Sequence, residues 1–583
     1  MFGTNRQFNL ERFSFSIEGA FLSIFEETGD NQLYFSIARS NTGMVEERNL
    51  IKLVPVFEDR ELPYIYEAGV GLLKLSTPKG HVEFTYEGPE IIRIRTAGIK
   101  LRLYRNPNLH EGGAPRKGGQ FEISFNLLGR LLFVPLSGTL TNTASWNFRE
   151  VRPNPYYIEI EGEAAVHEYY SNTVAKDVYA PFDDCVKKVE ADFEKFFKNY
   201  PDVPIQYRDM ARKAAWLIWS FRLGPRGSLK HTVIYMHKLF MNRAFGWHHC
   251  FHAMAMKNNP REAWNMLLTM FDYTDEAGAM ADNVDDLKQF VWSSSKPPIH
   301  GWALDYIFKN FDLSSLKKED YEELYGKLSK YAAWWLNHHD HAGKGVPSYY
   351  HPDESGYDEA TLFYKGLPVQ SPDLIANLAL LCEGCGKLAA KCGNTGEAET
   401  WQRKSEKLIK FLVDDMWDGE QFTAILTATG EKYRCGSIAL LQPIILGDRL
   451  PKTITAAIAR RLTDSREFLT EIGAASEHLG SDKQRLFGFT TGPVVAPTQM
   501  LLVMGLWDSG HKDEAQLIAA RYLNALLGRG FALGIHNYRR EPVTWNLLSE
   551  GPQIPPAMAV SFPMSAWVAS IFILMINAIM DRS

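Results

Sequence analysis

The sequence predicts a multidomain β + α fold, an N-terminal antiparallel β-sandwich followed by an (α/α)6 toroid, on three observations. Up to about residue 180 the apolar residues alternate at period two; beyond about residue 205 they recur at helical period. The helical segments number about a dozen, enough for six hairpins. No fixed-period repeat of the kind that marks a solenoid is visible.

The strands come first. "FSFSIEGAFLSIF", "QLYFSIARS", "HVEFTYEG", "IIRIRTAGIKLRLY" and "QFEISFNL" carry β-branched or aromatic residues at every second position and are punctuated by Gly, Pro and Asn. These define a sandwich domain over 1–182. "DDCVKKVEADFEKFFKNYPDVP", 183–204, switches to helical period and ends at prolines, reading as a linker helix. The helical domain occupies 205–583. Its apolar-periodic segments include 206–222, 247–257, 260–271, 300–311, 319–339, 371–391, 396–416, 436–441, 451–462, 494–508, 512–527 and 562–580. "SPDL" places Ser371 as N-cap, Pro372 in the first turn and Asp373 at the positive end of a helix. The loops 241–249, 272–299, 340–370, 476–496 and 530–560 are long and rich in Trp, Tyr, His, Asp or Glu, the pattern of functional rather than connecting segments.

Bulk properties exclude several classes. A formal charge of −6 and a pI near 6.3, with no long Lys/Arg run, leave no basic field for nucleic acid. The first residues lack a basic stretch, an apolar run and a cleavage site, so no secretory signal is read. The most apolar segment, "SAWVASIFILMINAIM", is shorter than the roughly 20 residues of a membrane span and reads as a buried helix. Six cysteines, three of them in "CEGCGKLAAKC", read as reduced thiols packed on helices. The expected location is cytoplasmic, with no membrane partner and no cofactor; a homo-oligomer is left open.

One stretch concentrates chemistry. "HPDESGYDEATLFYKG", 351–366, sets Asp353, Glu354, Asp358 and Glu359 around a glycine, near Tyr349, Tyr350, Tyr357, Phe363 and Tyr364. Four acids among rings read either as a solvated loop or as a sugar site, where rings stack on pyranose faces and a carboxyl donates a proton.

The blocks "MHKLFMNRAFGWHHCFHAMAM", "DEAGAMADNVDDLKQFVWSSSKPPIHGWAL", "YHPDESGYDEATLF…PVQSPDLIANLALL" and "GAASEHLGSDKQRLFGFTTGPVVAPTQMLLVMGL" resemble, in order and spacing, the six-hairpin glycosidases. The nearest set is the trehalase and glycoside hydrolase family 63 group, including mannosylglycerate-hydrolase-like and bacterial debranching-like members, over 205–580. The resemblance implies inverting hydrolysis of an α-glycosidic bond in a small glucosyl-type or related glycoside, without a cofactor. It places Asp358 at the general acid. It also implies substrate contacts from Trp247, Trp302 and Tyr357, from Asp282 and Asp286, from Lys296 and His300 at the rim, and from Glu477, His249, Asn537, Tyr538 and Trp545.

Two departures stand out. Relatives read Trp-Asp where this chain reads "GWHHCFH", putting His248 at the aspartate position. Near the carboxyl end the family's base Glu precedes an Asn-Tyr-like pair, whereas here His536 precedes Asn537 and Tyr538. His536, Glu550, Glu541 and Glu477 are the candidate replacements, since a neutral imidazole is also a competent base. His248 and His252 are four apart on a helical pattern, yet there is no HExxH and no placed third ligand, so no metal is assigned. Two alternatives therefore stay open: a His-dependent isomerase, epimerase or lyase on the same fold, and a noncatalytic carbohydrate-binding relative.

Overall fold

The structure is a computed structural model that describes residues 8–579 apart from 12, 28–30, 40–48, 127, 170–174, 240, 288–290, 485–489, 530, 532–533, 536–559 and 562–563. Two compact units emerge: Met1–Lys198 with Ala215–Arg243 and Asp285–Lys288, and Asn199–Ala214 with Ala244–Val284 and Gln289–Ser583. The first unit thus reclaims two segments that the sequence reading assigned to the helical domain.

The alternating segments form β1 (Leu22–Glu27), β2 (Gln32–Ile37), β3 (Ile51–Phe57), β4 (Arg60–Glu61), β5 (Ile65–Ala68), β6 (Leu73–Thr77), β7 (Gly80–Tyr86), β8 (Ile91–Ala97), β9 (Lys100–Arg105), β10 (Gly112–Pro115), β11 (Phe121–Phe125), β12 (Gly129–Asn142), β13 (Trp146–Asn147), β14 (Arg152–Pro153) and β15 (Tyr156–Tyr169). Thirteen of them pair in one antiparallel network whose main path runs β1-β2-β3-β9-β15-β8-β7-β6-β5. β15 serves both halves, pairing β9 through Tyr156–Ile160 and β8 through Glu163–His167. Alternation buries one set of side chains, among them Leu33, Phe35, Leu53, Val82, Phe84, Ile92, Ile94, Leu101 and Leu103. The expected linker helix is α1 (Phe182–Phe197), and it belongs to this unit. It packs with the sheet because Cys185, Val189, Phe193 and Phe196 form an apolar face, and its Arg95–Asp183 ion pair spans 2.9 Å.

The other helices are α2 (Arg208–Ser220), α3 (His248–Ala255), α4 (Pro260–Thr269), α5 (His300–Asn310), α6 (Lys318–His338), α7 (Pro372–Lys391), α8 (Thr395–Phe411), α9 (Lys452–Thr463), α10 (Ala496–Asp508), α11 (Lys512–Arg529) and α12 (Ala566–Ile579). A helical segment Ile438–Arg449, wound mostly as 3-10 turns around Pro443 and kinked at Gly447, completes the set. Packing closes a ring: α3 meets α5, α5 meets α7, α7 meets Ile438–Arg449, that segment meets α10, α10 meets α12, and α12 returns to α3. Six inner members make the toroid. α4 packs on α3, α6 and α8 on α7, α9 on the 3-10 segment and α11 on α10.

Sequence chemistry decides who sits inside. α10, "APTQMLLVMGLWD", and α12, "AWVASIFILMINAI", are apolar on every face and are buried almost throughout, as an inner ring member must be. α8, "TGEAETWQRKSEKLIKF", has a narrow stripe of Trp401, Ser405 and Leu408 inside and charge elsewhere. Inner helices also approach closely: a Cβ on Gly301 of α5 would lie 2.1 Å from the Leu380 carbonyl oxygen of α7. The thiols Cys185, Cys250, Cys382, Cys385 and Cys392 are free and buried, and Cys435 is free and half-buried. Among the described residues no helix is long and apolar enough to cross a membrane.

Gly301→Ala forces two inner backbones apart, so it is expected to destabilise the protein by about 3 kcal/mol, the upper end of overpacking effects. Denaturant midpoints of the two proteins, compared at equal slope, measure it.

Candidate active site

The inner helices α3, α5, α7 and α10 all begin beside loops that touch one another. The meeting point is the turn 351–364. Its first half is fixed by Glu354, which is fully engaged: one oxygen accepts from the Tyr350 and His351 N–H groups at 2.8 and 3.2 Å, and the other lies 3.0 Å from His339 Nε2. Ser355 then bridges the bend, donating to the Pro352 carbonyl at 2.6 Å and accepting from the Tyr357 N–H at 2.9 Å. Gly356 sits at φ 71°, and a Cβ there would come within 2.8 Å of the Trp247 ring and 3.3 Å of Pro297. Tyr357 is buried and its hydroxyl donates to Gln442 Oε1 at 2.6 Å on the 3-10 segment. The Glu359 N–H donates to Thr490 Oγ1 at 2.9 Å, and Thr361 Oγ1 donates to Glu477 Oε2 at 2.9 Å.

The four acids are thereby sorted. Glu354 is structural, Glu359 is exposed, and Asp353 is more than a third exposed at its side chain. Asp358 is half-buried, and no side-chain hydrogen bond or ion pair holds it among the described residues. Burial raises its carboxyl above the ordinary range; Lys296 opposes that rise, while Asp353 and Asp282 add to it. Asp282 is buried, accepts from Asn283 Nδ2 at 3.1 Å and lies 3.3 Å from Lys296 Nζ. Its carboxyl is also raised by burial against the pull of Lys296.

The histidines are packed rather than displayed. His248 stacks on Trp567 with centroids 3.7 Å apart and planes 17° apart, and burial pushes its imidazole well down. Trp247 is buried between Gly356 and Trp567, whose ring centroid is 4.7 Å away. His249 and His300 share a hydrogen bond of 3.0 Å between their Nε2 atoms. Burial pushes the first down to about 3 and the second well below the imidazole range, so one neutral ring donates and the other accepts. With Cys250 they form a group whose donor atoms lie within 4.8 Å, one ligand short of a closed tetrahedral zinc site. His252 Nδ1 pairs with Ser570 Oγ at 2.6 Å.

Other expected residues fall elsewhere. Asp286 belongs to the sheet unit, where its carboxylate faces Arg39 Nε at 3.4 Å and the Tyr235 hydroxyl at 3.3 Å. Trp302 packs on Phe251 and lines a cavity of about 300 Å³ with Tyr306, Trp507 and Ile579 at the C-terminal ends of α5, α10 and α12, away from the acid turn. Glu477 is buried between Thr361 and Ser481, and burial raises its carboxyl. His536, Asn537, Tyr538, Glu541, Trp545 and Glu550 lie outside the described residues.

Sequence reasoning missed Asp373 as more than a helix-start acid. It is fully buried, accepts from the Tyr349 hydroxyl at 2.8 Å and takes the Ser371 hydroxyl, which therefore does not cap the α7 backbone. Gln442 was equally invisible as an anchor, although one polar residue inside "IALLQPIIL" was the available signal.

A closed ring of six inner helical members, with a carboxyl-bearing turn at the loops that open them and an antiparallel sheet unit in the same chain, is the architecture of the six-hairpin glycosidases. The chain belongs to the mannosylglycerate hydrolase MGH1-like glycoside hydrolase domain family, whose model matches residues 242–538. Among solved structures it is similar to a bacterial glucoamylase complexed with acarbose, at TM-score 0.61 and 9% identity over 99% of this chain and 95% of that one. It is also similar to the GH63 mannosylglycerate hydrolase from Thermus thermophilus in complex with glucose, at TM-score 0.50 and 16% identity over 62% of this chain and 98% of that one. Against the curated proteins the chain has no match. At these identities the structural likenesses establish the fold.

Asp373 yields a pH signature. Burial, set against its hydrogen bonds, raises its carboxyl from the ordinary 3.8 to about 6. The folded state then binds the proton that the unfolded chain has released, so stability falls as pH rises through that window. Asp373→Asn removes this loss, and its Tm relative to the native protein is expected to climb between pH 4 and 6 and level off above, by the equivalent of about 3 kcal/mol. Parallel thermal melts across that range check it.

Proposed function

We propose that the protein is an inverting hydrolase of a small α-linked glucosyl-type or related glycoside, with Asp358 as general acid. The observation that carries this reading is the contrast within one turn: Asp358 alone of its four carboxyls combines burial, a raised affinity for its proton and freedom from a side-chain tether among the described residues. A protonated carboxyl so placed delivers its proton to the departing glycosidic oxygen as the C–O bond breaks, while water adds to the opposite face of the anomeric carbon and gives up a proton to a base. In an inverting site that base stands about 6.5–9.5 Å from the acid. We assign it to the segment 536–550, where His536 and Glu550 are the candidates. Glu477 is not favoured, because Thr361 and Ser481 already occupy its carboxylate. Lys296 and Asp282 stand beside the acid turn as hydroxyl partners for the sugar.

Isomerase or lyase chemistry at His248, His249 or His300 is disfavoured on basicity. An imidazole held far below neutrality by burial is a weak base, and two of these rings each spend one nitrogen on the other.

A panel of disaccharides and alkyl glycosides, followed by NMR of the first-formed anomer, tests the reaction; a product of inverted configuration is expected. Asp358→Asn is expected to lower kcat by about 10²–10⁴ with the circular dichroism spectrum unchanged. Because the proton must be present on Asp358, activity should persist above the ordinary carboxylate range and fall on the alkaline side. Full activity of Asp358→Asn would remove the assignment.

A further inference from the structure

Lys296 occupies a constrained place in the helical unit. It lies in "SSSKPPIHG", immediately before the proline pair that leads into α5. Its carbonyl accepts from the Tyr331 hydroxyl at 3.2 Å, and the ring of Pro297 borders Gly356. The backbone on either side is thus pinned. Its side chain is nearly buried, at 11% exposure, and among the described residues the ammonium makes two polar contacts: 3.3 Å to Asp282 Oδ1 and 3.2 Å to the Asp353 carbonyl oxygen, to which it donates. Asp282 is buttressed in turn by Asn283.

The charged groups that act on Asp358 most strongly, among the described residues, come from two segments: Asp353 from its own turn, and Lys296 and Asp282 from the loop before α5. His351 Nδ1 lies 3.6 Å from Asp353 Oδ1, Glu354 is occupied by His339, and Glu359 is exposed. The Asp282 and Asp358 carboxyls therefore share the influence of one ammonium, whose other partner is the Asp353 carbonyl oxygen.

Resting on the reading of Asp358 as the acid, we propose that Lys296 is a positioning residue that clamps the Asp282 loop to the acid turn and offsets the surrounding carboxylates, keeping the proton of Asp358 transferable. Desolvation and two like charges raise the affinity of Asp358 for its proton, and a more tightly held proton is yielded less readily to a leaving oxygen. The ammonium restores the balance and, through the Asp353 carbonyl, fixes the turn from which Asp358 projects. A merely structural lysine would do the second and not the first.

Titration of the Asp358 carboxyl carbon by NMR in full-length protein labelled with [4-13C]aspartate separates the two roles, with the signal assigned by its absence from Asp358→Asn. In Lys296→Met the midpoint is expected to rise by about one pH unit, and in Lys296→Arg to stay near the native value. Asp282→Asn, which removes a like charge and leaves the ammonium in place, is expected to lower it. An unchanged midpoint in Lys296→Met, or in Asp282→Asn should the methionine variant not fold, overturns the proposal. Failure of the acid assignment appears separately, as turnover retained by Asp358→Asn on the glycoside panel while the titration shifts persist.

Discussion

Closure of the inner ring constrains everything at the acid turn. Six apolar helical members meet neighbour to neighbour, and the contact between α5 and α7 is close enough that only a residue without a side chain fits at position 301. Because the ring closes, the loops opening α3, α5, α7 and α10 converge, and residues 247, 296, 442 and 490 come within contact of a single turn, with Asp282 held beside it through Lys296. A helical array that failed to close would leave the same loops spread apart, each with its aromatic and acidic residues solvated.

Within that turn the fold allots different fates to chemically similar groups. Glu354 becomes an anchor because two backbone N–H groups and a histidine saturate it; Asp358 is half-buried and, among the described residues, no other side chain holds its carboxyl. Desolvation makes the second kind of site expensive for a charge, which is what an acid catalyst requires and what a structural carboxylate avoids. Lys296 moderates the field rather than cancelling it. The same low-polarity surroundings act oppositely on the histidines, which burial holds neutral and commits to stacking on Trp567 or to one another.

His248, at the position where the resemblance implies an aspartate, is accommodated by packing. An aspartate there would carry a charge, whereas His248 lies flat on an indole with one ring nitrogen unpartnered among the described residues. Ring stacking replaces ionic hydrogen bonding, and the packing of Trp247, His248, Phe251 and Trp567 becomes a continuous aromatic wall.

The amino-acid order by itself determined the strand segments, through two-residue alternation, and the division of helices into inner and outer members, through apolarity on all faces as against a stripe. It also marked the Gly356 turn as the place where acids gather, because a glycine flanked by Ser, Tyr and four carboxylates is a local signal. Only the tertiary structure decided which of those acids is free, since Glu354 finds His339 fifteen positions away and Asp373 finds Tyr349 twenty-four away. It likewise put Asp286 in the sheet unit and turned Trp302 toward a cavity at the other ends of the helices, although both follow sequence blocks that point to sugar binding. The physical reason is that burial and hydrogen-bond saturation, which set the proton affinity of a carboxyl and the accessibility of a ring, arise from contacts between segments and leave no trace in the spacing of residues along one.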